Sequence, residues 1–343
     1  VGSEMCIRDR YNIEMMKKNI QKDTQMMAVI KMDGYGHGAV QIAKLLEPKD
    51  YIWGYAVATL DEAILLKDAC LKKPVLVLGC IFPDQWDTMI RNEVRMTVYS
   101  YEMAKEVSEL AEAMGCKVYV HIKLDTGMAR LGFQITEENA EEIAKISKLP
   151  NLVMEGMFTH FSKSDEADKT FTNEQLDKYL WMKEELKKRG VTFQYYHCSN
   201  SAGIIDLKEA NMDIVRAGIT TYGMYPSDEV KKEKAELFPA LDLKSHITMV
   251  KEIPAGEKVT KVEINLSTSK KQIGKWQGAF GSSTSVAPDY WTQSEDMEQT
   301  ISGKTGSIVW DVDSATSAII QTQYGGELKF GVWGIDCNKF TID

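Results

Sequence analysis

Short apolar runs alternate with longer amphipathic stretches through residues 11–259. The apolar runs at residues 27–30, 53–58, 74–79, 95–99, 117–124, 153–158, 193–197 and 213–216 read as strands buried on both faces, as parallel strands are. Between them the helical period predicts helices at 39–46, 60–70, 101–114, 136–147 and 172–188. A chain that alternates strand and helix in this way predicts an α/β fold with a parallel sheet. Eight such units over this length predict a (β/α)8 TIM-type barrel. A doubly wound open sheet is the alternative, but no strand is followed by a G-x-G-x-x-G turn, which lowers the case for a dinucleotide fold.

The pattern changes after residue 262. Trp276, Trp291, Trp310 and Trp333 fall here, within period-two alternation such as residues 307–312 and 328–333. That period, punctuated by glycine and serine, predicts a small all-β C-terminal domain of sandwich type. The first ten residues, VGSEMCIRDR, resemble the conceptual translation of a sequencing adapter and are set aside as a scar. The expected organisation is therefore residues 1–10 as scar, 11–235 as barrel, 236–262 as the start of a second domain, and 263–343 as the sandwich-like segment.

Composition narrows the classes without choosing among them. A formal net charge of -9 argues against nucleic acid as the main partner. No apolar run approaches a membrane span. The six cysteines are scattered, without metal-ligand spacing, so no metal is expected and the barrel reads as cytoplasmic.

The candidate chemistry lies where the predicted strands stop. Lys31 closes the first, ahead of a turn with Gly34, Gly36 and Gly38. Lys123, Asp125 and Arg130 follow the fifth, and His160 the sixth. His197, Asn200 and Ser201 follow the seventh, and Arg216 and Gly218 the eighth. In a barrel these ends converge on one face, where the chemistry of the fold is placed. Singly, each is as well explained by a solvated charge or a satisfied structural histidine. Together they ask for several coincidences.

The segments AVIKMDGYGHG, YAVATLDEA, PVLVLG, KLDTGMARLGF, GMFTHFS, HCSNSAG and VRAGITTYGMYPS, in this order, resemble the pyridoxal-phosphate-dependent alanine racemases. The resemblance implies that Lys31 holds pyridoxal 5'-phosphate as a Schiff base and moves the Cα proton on one face of an amino-acid substrate. It implies phosphate contacts from Tyr35, Asn200, Ser201, Gly218 and Ile219, and His160 packed against the pyridine ring. It places Arg216 beside the pyridine nitrogen, where a permanent cation weakens the electron sink and favours simple proton return. Arg130 would orient the substrate carboxylate, and Lys123 matches a position often carbamylated to hold that arginine. A homodimer is also implied.

The likeness has limits. Ala129 stands where a glycine is usual. After Val259 the Ser-Tyr-Gly motif that carries the opposite-face base is replaced by Thr260-Lys261-Val262-Glu263-Ile264-Asn265. The ending instead resembles carbohydrate-binding modules of cellulases, with polysaccharide as the implied partner. Because a cytoplasmic racemase has no evident use for such a module, the join is expected to be an assembly chimera. Racemisation is expected to be impaired. A weakly active or non-catalytic pyridoxal-phosphate carrier is the alternative.

Overall fold

The computed structural model describes residues 3–240 and, C-terminal to these, seven strands between Lys261 and Ile342. The chain divides into two compact units, Val1–Asp242 and Leu243–Asp343. Of the stretch expected to start a second domain, 236–262, residues 241–260 lie outside the described residues.

The first unit is the expected barrel. Its strands are β1 (Gln25–Val29), β2 (Ile52–Val57), β3 (Val75–Val77), β4 (Met96–Val98), β5 (Val118–Asp125), β6 (Leu152–Phe158), β7 (Tyr195–His197) and β8 (Ile214–Ala217). A two-residue strand, Phe133–Gln134, pairs with the end of β5. All barrel pairings are parallel: β8 to β1, β1 to β2, β2 to β3, then β4 to β5, β5 to β6 and β6 to β7. Two seams complete the ring. Arg95 N–H donates to Val75 O at 2.8 Å beside a Leu76–Arg95 bridge, and Arg216 N–H donates to Ser199 O at 3.0 Å.

The helices are α1 (Ser3–Lys18), α2 (Ala39–Leu46), α3 (Leu60–Asp68), α4 (Pro83–Arg91), α5 (Tyr101–Met114), α6 (Glu137–Ile146), α7 (Thr170–Lys188) and α8 (Ser201–Asp206). Three of them begin on a hydroxyl cap: Thr59, Ser100 and Thr136 each accept a backbone N–H from the first turn. Helix α4, absent from the sequence expectation, has proline in its first turn and buries Trp86, Met89 and Ile90. Helix α1 also departs from it. It starts within the segment set aside as a scar, and Arg8 Nη1 donates to Pro239 O at 2.9 Å.

Strand alternation, shifted in β2 by a bulge at Trp53, sorts the core into two layers. Met26, Ala28, Tyr55, Val57, Val75, Val77, Val120, Ile122 and Val215 join the helices in one large cluster outside the ring. Met27, Trp53, Ala56, Leu76 and Ile214 form a separate cluster on the opposite, inner face. By the same alternation His121 and Lys123 on β5, His197 on β7 and Arg216 on β8 also point inward, and all four are buried.

Among its described residues the second unit contains two antiparallel sheets. In one, Lys261–Ser267 pairs with Thr305–Asp311 and Thr341–Ile342. In the other, Gly274–Ser282 pairs with Tyr290–Thr292, Glu298–Ile301 and Lys329–Cys337. Trp276, Trp291, Trp310 and Trp333 each lie on one of these strands. Among the described residues no helix is long and apolar enough to cross a membrane.

Candidate active site

The end of β1 makes an unusual turn. Met32, Asp33, Gly34 and Tyr35 have φ of 56°, 52°, 60° and 51°, a left-handed run in which only one residue is glycine. Such backbone costs about 1–2 kcal/mol per non-glycine residue, so other contacts must hold it. Glu62 on α3 accepts Met32 N–H at 2.7 Å and Ala58 N–H at 2.7 Å. Asp33 Oδ1 accepts Ala39 N–H at 2.9 Å, and Gly34 N–H reaches back to Ile30 O at 3.0 Å. At Gly34, with φ +60°, an added Cβ would also sit 3.0 Å from Ile42 Cδ1, so a side chain there would require Ile42 to shift. The turn sets Lys31 and Tyr35 on one wall, with Lys31 Nζ 5.9 Å from the Tyr35 ring centroid.

That wall belongs to a cavity of about 910 Å³ at the carboxyl ends of the strands. Lys31, Tyr35, Arg130, His160, Asn200, Ser201, Arg216, Gly218 and Ile219 all line it. Asp125 and His197, also named from the sequence, do not line it, and neither does Lys123. Lys123 is buried behind the wall, with Nζ donating to Leu124 O at 2.7 Å.

Electrostatics tie these residues together. Burial, followed by the charges of Arg216, Arg130, Lys123 and Lys31, pulls the His160 imidazole down to about 3. His160 is therefore a neutral ring at physiological pH. Burial, assisted by Arg216 and Arg130, pulls Lys123 down to about 7, while Asp125 opposes the shift. Burial lowers Arg216 to about 10, so its guanidinium stays charged at neutral pH. A cavity with this excess of cationic groups favours an anionic ligand.

The loop after β8 is tied to α8. Ser201 Oγ accepts Gly218 N–H at 3.0 Å and the Thr220 hydroxyl at 3.0 Å. Asn200, which lines the cavity, also caps α8: its side-chain oxygen accepts Gly203 N–H at 3.0 Å and the Ser164 hydroxyl at 2.9 Å. The sequence reading did not single out Asp165 or Cys80, which also line the cavity, nor Tyr222, whose hydroxyl donates to Val29 O at 2.9 Å. Cys80 sits beside Tyr99, with Sγ and Oη 3.0 Å apart.

A parallel eightfold barrel, with a lysine at the end of its first strand, defines the class: a (β/α)8 protein with an amine in a cationic cavity over its carboxyl-end face. The family model for the alanine racemase N-terminal domain matches residues 8–226, and the chain belongs to this family. It is 41% identical over 251 residues to an alanine racemase of Desulforamulus reducens, covering 73% of this chain and 68% of that protein. It is 43% identical over 250 residues to that of Clostridium tetani, covering 73% and 64%. Among solved structures, alanine racemase of Clostridium difficile 630 matches with a TM-score of 0.73 and 34% identity, over 90% of this chain and 81% of that one. The chain thus spans about two thirds of the length of these curated relatives. Residues 241–343 match a different family, a domain of unknown function (DUF5620).

Proposed function

We propose that the barrel is a pyridoxal-phosphate site of the alanine racemase type, acting on the Cα proton of alanine. The observation that carries this reading is the convergence of Lys31, Arg130 and Arg216 on one cavity around the neutral ring of His160. The site fits the cofactor on chemical grounds: one amine for its aldehyde, a surplus of cationic groups for a phosphate and a carboxylate, and a flat uncharged side chain for its ring.

Pyridoxal phosphate, when bound, supplies the electron sink that acidifies the substrate Cα–H. Lys31 would hold it through Nζ, and that nitrogen, freed as an amine once the substrate's amino group takes its place, would take or return the Cα proton on its own face. Arg130 binds the substrate carboxylate. Tyr35, Ser201, Gly218 and Ile219 enclose the phosphate. Arg216 would sit beside the ring nitrogen and, keeping its proton, would leave the sink weak, which favours simple return of the proton.

The N-terminal family match ends at residue 226 and the DUF5620 match begins at 241. This supports the reading that the opposite-face base is not supplied by this chain, so exchange runs on one face. Incubation with each alanine enantiomer and pyridoxal phosphate in deuterium oxide tests it. Deuterium is expected at Cα from D-alanine alone. Equal exchange from both enantiomers would overturn the one-base reading, and no exchange with normal cofactor uptake would favour a carrier.

A second reading concerns Leu243–Asp343. Four tryptophans on strands of two antiparallel sheets suit stacking on sugar faces, and we propose glycan binding there. Retention of the full chain on cellulose supports this; passage at the void volume refutes it for that ligand. A cytoplasmic location and homodimer formation rest on the family likeness.

A further inference from the structure

A line of polar side chains runs through the barrel from the cavity toward the amino-terminal ends of its strands. Arg216 Nη1 lies 2.9 Å from His197 Nδ1, His197 Nε2 lies 2.9 Å from His121 Nδ1, and His121 Nε2 lies 3.0 Å from Glu155 Oε2. Glu155 also accepts from Arg95 Nε at 3.2 Å. Both histidines are fully buried and Glu155 nearly so. Gly156 makes the space: a Cβ there would fall 2.2 Å from His121 Nδ1.

Arginine can only donate, which fixes every proton in the line. His197 Nδ1 must accept from Arg216, so the His197 proton is on Nε2. His121 Nδ1 must then accept, so its proton is on Nε2 and goes to Glu155. Burial holds both imidazoles neutral, drawing each below the usual histidine range. An imidazolium at His121 would push a second donor at His197 and set donor against donor at Arg216. Hydrogen bonds aligned in one direction polarise one another, so the Glu155 carboxylate strengthens the acceptor that Arg216 meets.

The line also accounts for the guanidinium's donors. Nη1 uses His197 Nδ1 and His197 O at 3.0 Å, and Nη2 uses Thr159 O at 2.6 Å and Cys198 O at 2.9 Å. Among the described residues only the Nε–H lacks a partner, and Arg216 borders the cavity. A guanidinium with loose Nη groups would pair bidentately with a phosphate or a carboxylate.

We propose that Glu155, His121 and His197 are positioning residues that lock Arg216 edge-on, so that it offers the ligand one N–H and no bidentate face. What that edge meets rests on the cofactor reading above; the lock itself does not.

The test uses the full chain labelled with ¹⁵N-histidine, without added cofactor, its ring signals assigned by single replacements. His121 and His197 are expected as neutral Nε2–H tautomers across roughly pH 6 to 8, where a free histidine titrates. An Nδ1–H tautomer or an imidazolium at either ring overturns the lock. Glu155→Gln keeps an acceptor and should leave both tautomers in place; a changed tautomer there overturns the assignment of Glu155. Glu155→Leu removes the acceptor and should bring a second tautomer to both rings, and unchanged rings also overturn it. If Glu155→Leu does not fold, the wild-type and Glu155→Gln spectra decide. With pyridoxal phosphate added, Glu155→Leu should slow Cα exchange about tenfold with KM within about twofold, as loss of an outer-layer partner does. An unchanged rate overturns the coupling to the ligand. If the wild-type chain takes up no cofactor, the proposed function fails while the tautomer result still reads the lock.

Discussion

Glu62 and Met32 are joined across two strand ends: the carboxylate on α3 accepts the backbone N–H of the residue directly after Lys31, at 2.7 Å. Its other oxygen holds Ala58 N–H at 2.7 Å. One side chain therefore anchors the left-handed turn to the neighbouring βα unit. Glu62→Ala should lower unfolding free energy by about 2 kcal/mol, the loss of two charge-assisted hydrogen bonds, and weaken cofactor uptake. Urea denaturation and an absorbance titration with pyridoxal phosphate measure the two effects. Unchanged uptake would show that the turn holds Lys31 without Glu62.

Lys31→Ala should abolish covalent capture of the cofactor. Borohydride reduction followed by mass spectrometry should find pyridoxyl label on the wild-type chain and none on the variant. Label retained elsewhere would move the assignment from Lys31.

Lys123 should form a carbamate. Only the neutral amine attacks carbon dioxide, and burial with neighbouring cations brings its pKa to about 7. A ¹³C carbamate signal from labelled bicarbonate should therefore be strong at about pH 8 and fade as pH drops through that value. It should be absent in Lys123→Met, and a signal that survives there would place the carbamate on another amine.

Asp9 and His37 are both buried, and Asp9 Oδ1 lies 3.8 Å from His37 Nδ1, too far for a hydrogen bond. Burial raises Asp9 to about 7 from its ordinary 3.8. Between these values the folded chain holds a proton that the unfolded chain has lost, so this group makes stability fall as pH rises. Burial lowers His37, which acts in the opposite sense below its ordinary range. Comparing Asp9→Asn with the wild type at each pH isolates the aspartate. The variant should match the wild type near pH 4 and exceed it by about 2 kcal/mol near pH 8. A difference already full at pH 4 would show that charge is not the cause.

Much of the site could be read along the chain because five of the eight predicted strands stop at a recognisable polar residue. Lys31, His160 and Arg216 sit one or two positions past apolar runs, and strand parallelism then brings them to one face. Two kinds of feature escaped. Helix α4 carried a readable signal, Pro83 ahead of Trp86, Met89 and Ile90, that went unread. The line from Arg216 to Glu155 could not be read at all. His121 and His197 are 76 positions apart, and their contact depends on which inner-face residues the closed ring brings together. Asn200 lines the cavity, and its additional part as a helix cap escaped because it depends on the side chain's rotamer.

Barrel closure has a kinetic consequence. Lys31 follows the first strand and Arg216 lies on the last, and β1 and β8 pair with Met27 opposite Arg216. Contacts so distant in sequence form late, because the intervening loop must be ordered first. Cofactor uptake should therefore report the final zipping of this seam during refolding, and a chain stopped before Ile214 would carry Lys31 without the closed cavity that it lines.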